Sequence, residues 1–302
     1  MSRILVVGGN GFLGAALVDA LIDGGHDVRV LDRFSSPRRF RASAVREHRA
    51  DLDDHAAVAR AVAGVDVVFH FLSTTTPASA AREPLRDVTE NLTLSVQLAG
   101  AAAAAGVERF VYASSGGTVY GPVPAEGRVD EDVPLRPISP YGIGKAAMES
   151  YLEYFRLEHG MDHRILRIGN PYGPAQMLPR PRGLIAVAMD RARRGEPFQR
   201  IGNAVRDYLH VDDLVQQVLA ASLLPSAHRT FNVASGTGHS VSEVLAVVRS
   251  VTGLPLIEEV QDNEATFVER SVLDPGRILT EFGLSEPRPL AEGVRQMWEA
   301  IR

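Results

Sequence analysis

Gly8-Gly9-Asn10-Gly11-Phe12-Leu13-Gly14 lies between the apolar run Ile4-Leu5-Val6-Val7 and an amphipathic stretch over residues 12–22. Glycines at 8, 11 and 14 let the backbone turn sharply after a strand and approach a bound pyrophosphate closely. They also let the next helix sit tight on the sheet, with its first N–H groups aimed at an anion. Asp32 follows a second apolar run over residues 28–31, where a carboxylate can accept hydrogen bonds from both ribose hydroxyls of a dinucleotide. Three glycines alone are weak evidence, because glycine-rich turns are common. Strand, turn, helix, strand and acid in that order predict a dinucleotide site.

Outward from this unit, short β-branched runs alternate with amphipathic stretches. Strands are expected over residues 4–7, 28–31, 65–69, 109–113 and 163–168, and helices over 12–22, 56–63, 92–105 and 146–158. The first four strand runs are almost wholly apolar, as strands buried on both faces are. The alanine run at 101–105 fits a tightly packed helix. The fold class is therefore α/β, a Rossmann-type doubly wound parallel sheet. After Ile168 the alternation breaks down. Residues 170–181, with Pro171, Gly173, Pro174, Pro179 and Pro181, read as a loop. Helices are expected over 184–194, 210–223 and 290–301, and a short strand over 231–233. Ser240-Val241-Ser242-Glu243 has capping-box spacing before another helix that ends near Gly253. The expected layout is a nucleotide-binding domain over residues 1–168, with 207–234 returning to it. Residues 169–302 would form mainly a smaller, discontinuous substrate-binding region.

Composition narrows the class. The 302 residues carry 32 Lys plus Arg against 37 Asp plus Glu, a net charge of −5 with no basic block. That argues against nucleic acid or an anionic membrane as the main partner. Zero cysteines remove disulfides, thiolate zinc sites and cysteine nucleophiles, and fit a reducing cytoplasm. The start of the chain has a short strand pattern rather than a signal peptide, and no apolar stretch has transmembrane length.

Of the 32 basic residues, one is lysine: Lys145. It follows Tyr141 in Tyr141-Gly142-Ile143-Gly144-Lys145, so both side chains lie on one face of a helix. A phenol with a pKa near ~10 is a poor base at neutral pH, and a neighbouring ammonium is expected to lower that value. Lysine can also reach ribose hydroxyls with a compact charge that arginine's planar fork does not mimic. With 7 tyrosines, a randomly placed lysine would fall four residues after one only about 2% of the time.

The GxxGxxG spacing, with the Tyr-x-x-x-Lys pair, resembles the extended branch of the short-chain dehydrogenase/reductase superfamily. Ser114-Ser115-Gly116-Gly117-Thr118-Val119-Tyr120-Gly121 resembles the Ser-Ser-x-x-Thr-Val-Tyr-Gly motif of its nucleotide-sugar epimerases, such as those acting on UDP-galactose or UDP-glucuronate. The resemblance implies a cofactor site at Gly8, Gly11, Phe12, Leu13, Gly14, Asp32, Arg33, Asp51, Leu52, Phe71, Tyr141 and Lys145, with Asp51-Leu52 at the adenine. Asp32 favours NAD, since a 2′-phosphate would meet a carboxylate. Arg33 and the run Arg38, Arg39, Arg41 pull the other way, though a solvated loop explains them. Tyr141 and Lys145 are the expected catalytic pair. Many UDP-galactose 4-epimerases carry a catalytic serine where this chain has Gly116, so the hydroxyl role is assigned to Thr118, with Ser115 in reserve. Strand-end turn chemistry is the bland account of Ser114 and Ser115.

Leu166-Arg167-Ile168-Gly169-Asn170-Pro171-Tyr172-Gly173-Pro174 resembles the family's Leu-Arg-x-x-Asn-x-x-Gly-Pro, whose asparagine contacts the nucleotide-sugar diphosphate. Arg206-Asp207-Tyr208 resembles its Arg-Asp-Tyr, whose arginine contacts phosphate. Arg270 is a second candidate clamp, although its distance from Asp274 departs from the family's spacing. Substrate contacts are thus expected at Thr118, Asn170, Arg206 and Arg270. No metal is expected: Asp53, Asp54 and His55 read as a helix start, and His210 beside Asp212 as structural.

The resemblance implies NAD-dependent C4 epimerisation of a nucleotide-diphosphate sugar through a 4-keto intermediate. A 4,6-dehydratase would need Asp-Glu where Val119-Tyr120 follow Thr118. A nucleotide-sugar 4-ketoreductase consuming NAD(P)H is the alternative reaction, and a non-catalytic redox sensor or scaffold on the same fold is the alternative from another class. A homodimer is expected, with the helices over 92–105 and 141–158 of two subunits paired.

Overall fold

The structure, a computed structural model, describes residues 1–123, 126–177, 181–261 and 268–301. Pro179 of the expected loop lies outside them. The chain divides into two compact units: residues 1–121, 134–167 and 218–231 form the first, and residues 122–133, 168–217 and 232–302 the second.

The first unit is built around a seven-stranded sheet. Its order is Thr230–Val233, Asp162–Ile168, Arg109–Ser115, Val67–His70, Arg3–Val7, Asp27–Asp32 and Arg46–Arg49. Arg3–Val7 pairs in parallel with Asp27–Asp32 on one side and Val67–His70 on the other, so successive strands are laid down in opposite directions from it. In open α/β sheets, that reversal opens a crevice at the carboxyl ends of the strands. Ile4 to Val7 are fully buried, as a central strand covered on both faces requires. One face packs Leu5, Val7, Val58, Val62, Leu98, Phe110, Met148 and Leu152 into a single apolar cluster.

Where local signals were strong, the elements follow the sequence reading. Asp54 caps the helix His55–Val62 by accepting from the Ala57 N–H at 2.9 Å, so the acids here are a helix start. Several short elements were not anticipated. The edge strand Arg46–Arg49 reads Arg-Glu-His-Arg and has no apolar alternation, yet it pairs in parallel with Asp27–Asp32. Charged edge strands resist pairing with other chains. Pro77–Arg82 and Pro84–Asp87 are short helices, leading through a π-helical turn at Val88–Leu92 into Thr93–Ala104. The helix carrying Tyr141 starts at Pro140, earlier than 146, with Ser139 accepting from the Gly142 N–H at 3.1 Å. Ser139-Pro140 is a helix start that sequence reasoning passed over.

In the second unit, Asn170–Tyr172 is a strand rather than loop, because it pairs with Val205–His210. Pro171 is tolerated in so short a strand. Val205–His210 also pairs with Gly238–Ser240 and Arg270–Ser271. The Ser240–Glu243 capping box forms as expected, with both reciprocal bonds present. Helices Leu184–Arg194, Val241–Thr252 and Leu290–Glu299 bury Ile185, Met189, Leu245, Val248, Met297 and Trp298 together. Among the described residues, no helix is long and apolar enough to cross a membrane.

Candidate active site

The glycine loop closes tightly at the sheet reversal. Gly8 has φ +80°, and its N–H donates to Leu31 O at 2.9 Å. A Cβ on Gly8 would lie 2.8 Å from the backbone N of Leu72, so this glycine lets the loop touch the segment after Val67–His70. A Cβ on Gly14 would lie 2.2 Å from Gly8 O, inside the van der Waals limit. The loop and helix Phe12–Asp23 therefore form a cradle that side chains would fill, with first-turn N–H groups left for a ligand. Asp32 stands at the adjacent strand end and is braced by N–H donors, Asn10 N to Oδ2 and Phe34 N to Oδ1, both at 3.0 Å. These residues fit a dinucleotide. Arg38 and Arg41 are engaged by Glu47 and Asp19, and Arg33 by Asp51 at 3.5 Å. Leu52 is buried beside Asp51, and Phe71 donates its N–H to Val7 O at 2.9 Å.

Tyr141 and Lys145 lie one turn apart on Pro140–His159. Lys145 is only 7% exposed. Its Nζ donates to Ala113 O at 2.8 Å and sits 4.7 Å from the Tyr112 ring centroid and 5.5 Å from that of Tyr141. Burial brings its pKa down to about 8, opposed by the negative charges of Asp87 and Glu149. The phenol behaves otherwise than the sequence suggested. Burial pushes Tyr141 up to about 12, and Asp87 adds to the rise, while a hydrogen bond with Ser73 works against it. The Lys145 ammonium is spent on a backbone carbonyl and on ring faces, so in the protein alone desolvation of the phenolate wins.

Thr118 comes to this helix by a close backbone approach. A Cβ on Gly142 would lie 2.7 Å from Thr118 O, so the glycine beside Tyr141 admits the Thr118 segment. Thr118 Oγ1 donates to Ser115 O at 3.3 Å from the short helix Gly116–Val119. Behind it, Ser114 Oγ donates to Glu149, whose carboxylate also takes a fork from Arg167 (Nη2 to Oε2, 2.8 Å). Arg167 Nη1 donates to Tyr120 OH at 2.9 Å. Ser114 and Arg167 are thus built into a buried brace between the ends of two strands and the tyrosine helix.

Sequence reasoning missed Asp87. Its buried carboxylate accepts from Thr75 Oγ1 and from Asn91 Nδ2 (2.8 Å). Its Oδ2 lies 2.7 Å from where a Cβ on Gly144 would sit, which places it against the Tyr-x-x-x-Lys turn. Asp87, Asn91, Ser95, Tyr112, Tyr141 and Lys145 enclose a void of about 10 Å³, the size of one water. An aspartate buried beneath a helix has no sequence pattern of its own. The nearest sequence clue is the four-residue spacing of Asp87 and Asn91, which a helical turn brings to one side.

The remaining expected residues belong to the second unit. Asn170 lies in Asn170–Tyr172, and its side-chain amide has no hydrogen-bond partner among the described residues. Arg206 donates to Val205 O (2.8 Å), Val268 O (2.6 Å) and Glu269 O (3.3 Å). Burial lowers its pKa. Arg270 pairs with Val205 on the adjacent strand, donates to Gly127 O at 3.3 Å and keeps a buried Nε without a partner. Asp207 is an internal clamp that accepts from Ser235 N and Oγ, Gly236 N and Leu273 N. His210 Nδ1 accepts from Asp212 N at 3.3 Å and packs edge-on against Tyr172, a structural arrangement. Among the described residues, no cluster of His, Asp or Glu could hold a metal.

Residues 4–234 match the NAD dependent epimerase/dehydratase family. Over 99% of its length and 98% of the relative's, the chain is 33% identical to a UDP-glucose 4-epimerase of Mycolicibacterium smegmatis. Its fold superimposes on the Thermus thermophilus UDP-glucose 4-epimerase in complex with NAD at a TM-score of 0.93, with 32% identity and 99% of each chain covered. The Thermotoga maritima UDP-glucose 4-epimerase with UDP-glucose gives 0.92, at 32% identity over 99% of this chain and 98% of that one.

Proposed function

The chain belongs to the NAD dependent epimerase/dehydratase family, and from that premise we propose that it inverts C4 of a nucleotide-diphosphate sugar through a transient 4-keto sugar, with NAD as resident cofactor. The observation that carries this reading is the buried Lys145 one turn below Tyr141, with Thr118 admitted alongside by Gly142. Gly8, Gly11 and Gly14 with Asp32 would hold the cofactor in the first unit. Asn170 and Arg206, with Arg270 as a further candidate, would hold the sugar nucleotide's diphosphate from the second.

NAD, when bound, supplies acceptance and return of the C4 hydride, and its oxidised ring adds a positive charge that favours a phenolate nearby. Tyr141 takes the proton of the C4 hydroxyl and later returns it. Lys145 keeps a cation beneath the phenol ring and reaches toward the cofactor's ribose. Thr118 hydrogen-bonds the sugar's C4 oxygen, with Ser115 in reserve. Val119 and Tyr120 put no carboxylate after Thr118, so the acid/base pair that dehydration needs is missing there.

A second copy of this chain is the proposed partner. Ala147, Ser150, Tyr151 and Tyr154 form an open apolar patch on the tyrosine helix, with Tyr151 43% and Tyr154 52% exposed.

The deciding experiment incubates the purified protein, without added cofactor, with UDP-glucose, UDP-glucuronate, UDP-N-acetylglucosamine and dTDP-glucose. Formation of a C4 epimer with no net NADH is expected. Turnover only of a keto sugar, with stoichiometric NADPH, would overturn the reading in favour of a ketoreductase.

A further inference from the structure

Arg109, Asp162 and Arg229 stand at the starts of three neighbouring strands of the first unit, at the end of the sheet opposite the glycine loop. From Arg109 to Ser115 is six residue steps, about 20 Å at ~3.3 Å each. With Arg156 and Arg164, these residues line a cleft of about 400 Å³, within the range of small-molecule sites.

The charge in this cleft is unbalanced. Among the described residues that line it, Asp162 is the one carboxylate, and it accepts from Arg109 Nε (2.9 Å), Arg164 Nη1 (2.8 Å) and Arg229 Nε (3.2 Å). Arg156 is paired with Glu153. Carbonyls at the end of helix Val211–Leu223 take part of the load: Arg109 Nη1 donates to Ser222 O at 2.7 Å and Arg164 Nε to Ala221 O at 3.1 Å. What remains is unspent N–H capacity. Among the described residues, Arg109 Nη2, Arg164 Nη2 and both terminal nitrogens of Arg229 have no hydrogen-bond partner.

Arginine-rich chains put guanidiniums on every surface, and a solvated cluster would be the plain account. Arg164 departs from it, being 2% exposed and among the largest fully buried side chains. Burial and the like charges of Arg109 and Arg229 lower its pKa. A buried cation facing two others is an arrangement that a second anion relieves. Planar forks arriving from separate strands suit a ligand with several tetrahedral oxyanions, and the volume exceeds that of one phosphate.

We propose that this cleft binds an oligophosphate-bearing anion, at a site distinct from the glycine loop and outside the epimerisation chemistry. The test titrates the holoprotein with tripolyphosphate by calorimetry, with KCl controls at matched ionic strength. Arg109 and Arg164, which hold backbone carbonyls, stay unchanged, and the Arg156→Ser/Arg229→Ser double variant is compared with the parent. The difference between the two isolates this cleft from any phosphate bound elsewhere. One-to-one binding that weakens about tenfold or more in the variant, with sugar-nucleotide turnover unchanged, is the expected result. If the double variant misfolds, Arg229→Lys keeps the charge and loses the fork, and it is expected to weaken binding as well. ATP binding more tightly than adenosine would support the phosphate requirement. Equal binding by parent and variants, heat reproduced by KCl, or adenosine binding as well as ATP would overturn the proposal.

Discussion

Lys145 shows how much one side chain's surroundings decide. Its ammonium is held on Ala113 O, between two tyrosine rings, next to a void with room for one water. A guanidinium is larger and planar and cannot make the same contacts there. Lys145→Arg is expected to keep the fold and lose turnover by about 100-fold or more. Near-parental kcat with a normal circular dichroism spectrum would mean that the lone lysine is incidental. Asp87 sets the charge balance beneath the pair. Its negative charge disfavours a phenolate and favours an ammonium, so it raises the pKa of both Tyr141 and Lys145. Removing it should lower both. In Asp87→Asn, both limbs of the kcat/KM–pH profile should therefore move to lower pH, by on the order of one unit. Limbs that stay in place while kcat falls would reduce Asp87 to packing. The tyrosine motif was plain in the sequence; Asp87 was not, because its role depends on contact across the fold with Gly144.

At the scale of elements, the strand–loop–helix from Arg3–Val7 to Phe12–Asp23 is the part most completely written in local sequence. Each glycine there answers a steric demand between near neighbours, so spacing alone exposes it. Gly14→Ala would put a methyl 2.2 Å from Gly8 O. The helix must then move off the loop. A loss of about 1–3 kcal/mol in urea unfolding is expected, together with loss of copurifying NAD. A variant with the parent's unfolding midpoint and NAD content would show that the cradle is looser than the geometry states. The edge strand Arg46–Arg49 marks the opposite limit. Its residues carry no strand pattern, and it is a strand because Asp27–Asp32 offers it a free edge. Asn170–Tyr172 likewise owes its conformation to its partner Val205–His210, against what two prolines and a glycine suggest locally.

At the scale of the molecule, the apolar patch of Tyr151 and Tyr154 is the proposed meeting place of two copies. A Tyr151→Glu/Tyr154→Glu variant is expected to sediment as a monomer at concentrations where the parent is a dimer, since paired carboxylates would be desolvated in the interface. A parent that sediments as a monomer, or a variant that stays dimeric, would place the contact elsewhere or remove it.

Sequence by itself determined the α/β class, the tight glycine loop leading to Asp32's strand, and the Tyr141–Lys145 pair on one helix face. Those features depend on residues within a few positions of one another, where helix and strand periods and turn sterics act. Only the tertiary structure decided that burial, with Asp87, raises the Tyr141 phenol's pKa to about 12 rather than lowering it. The same holds for Ser114 and Arg167, which it commits to a brace on Glu149, and for four arginines distant in sequence that line one cleft. Desolvation and charge act through space between segments remote along the chain, and no local pattern encodes them.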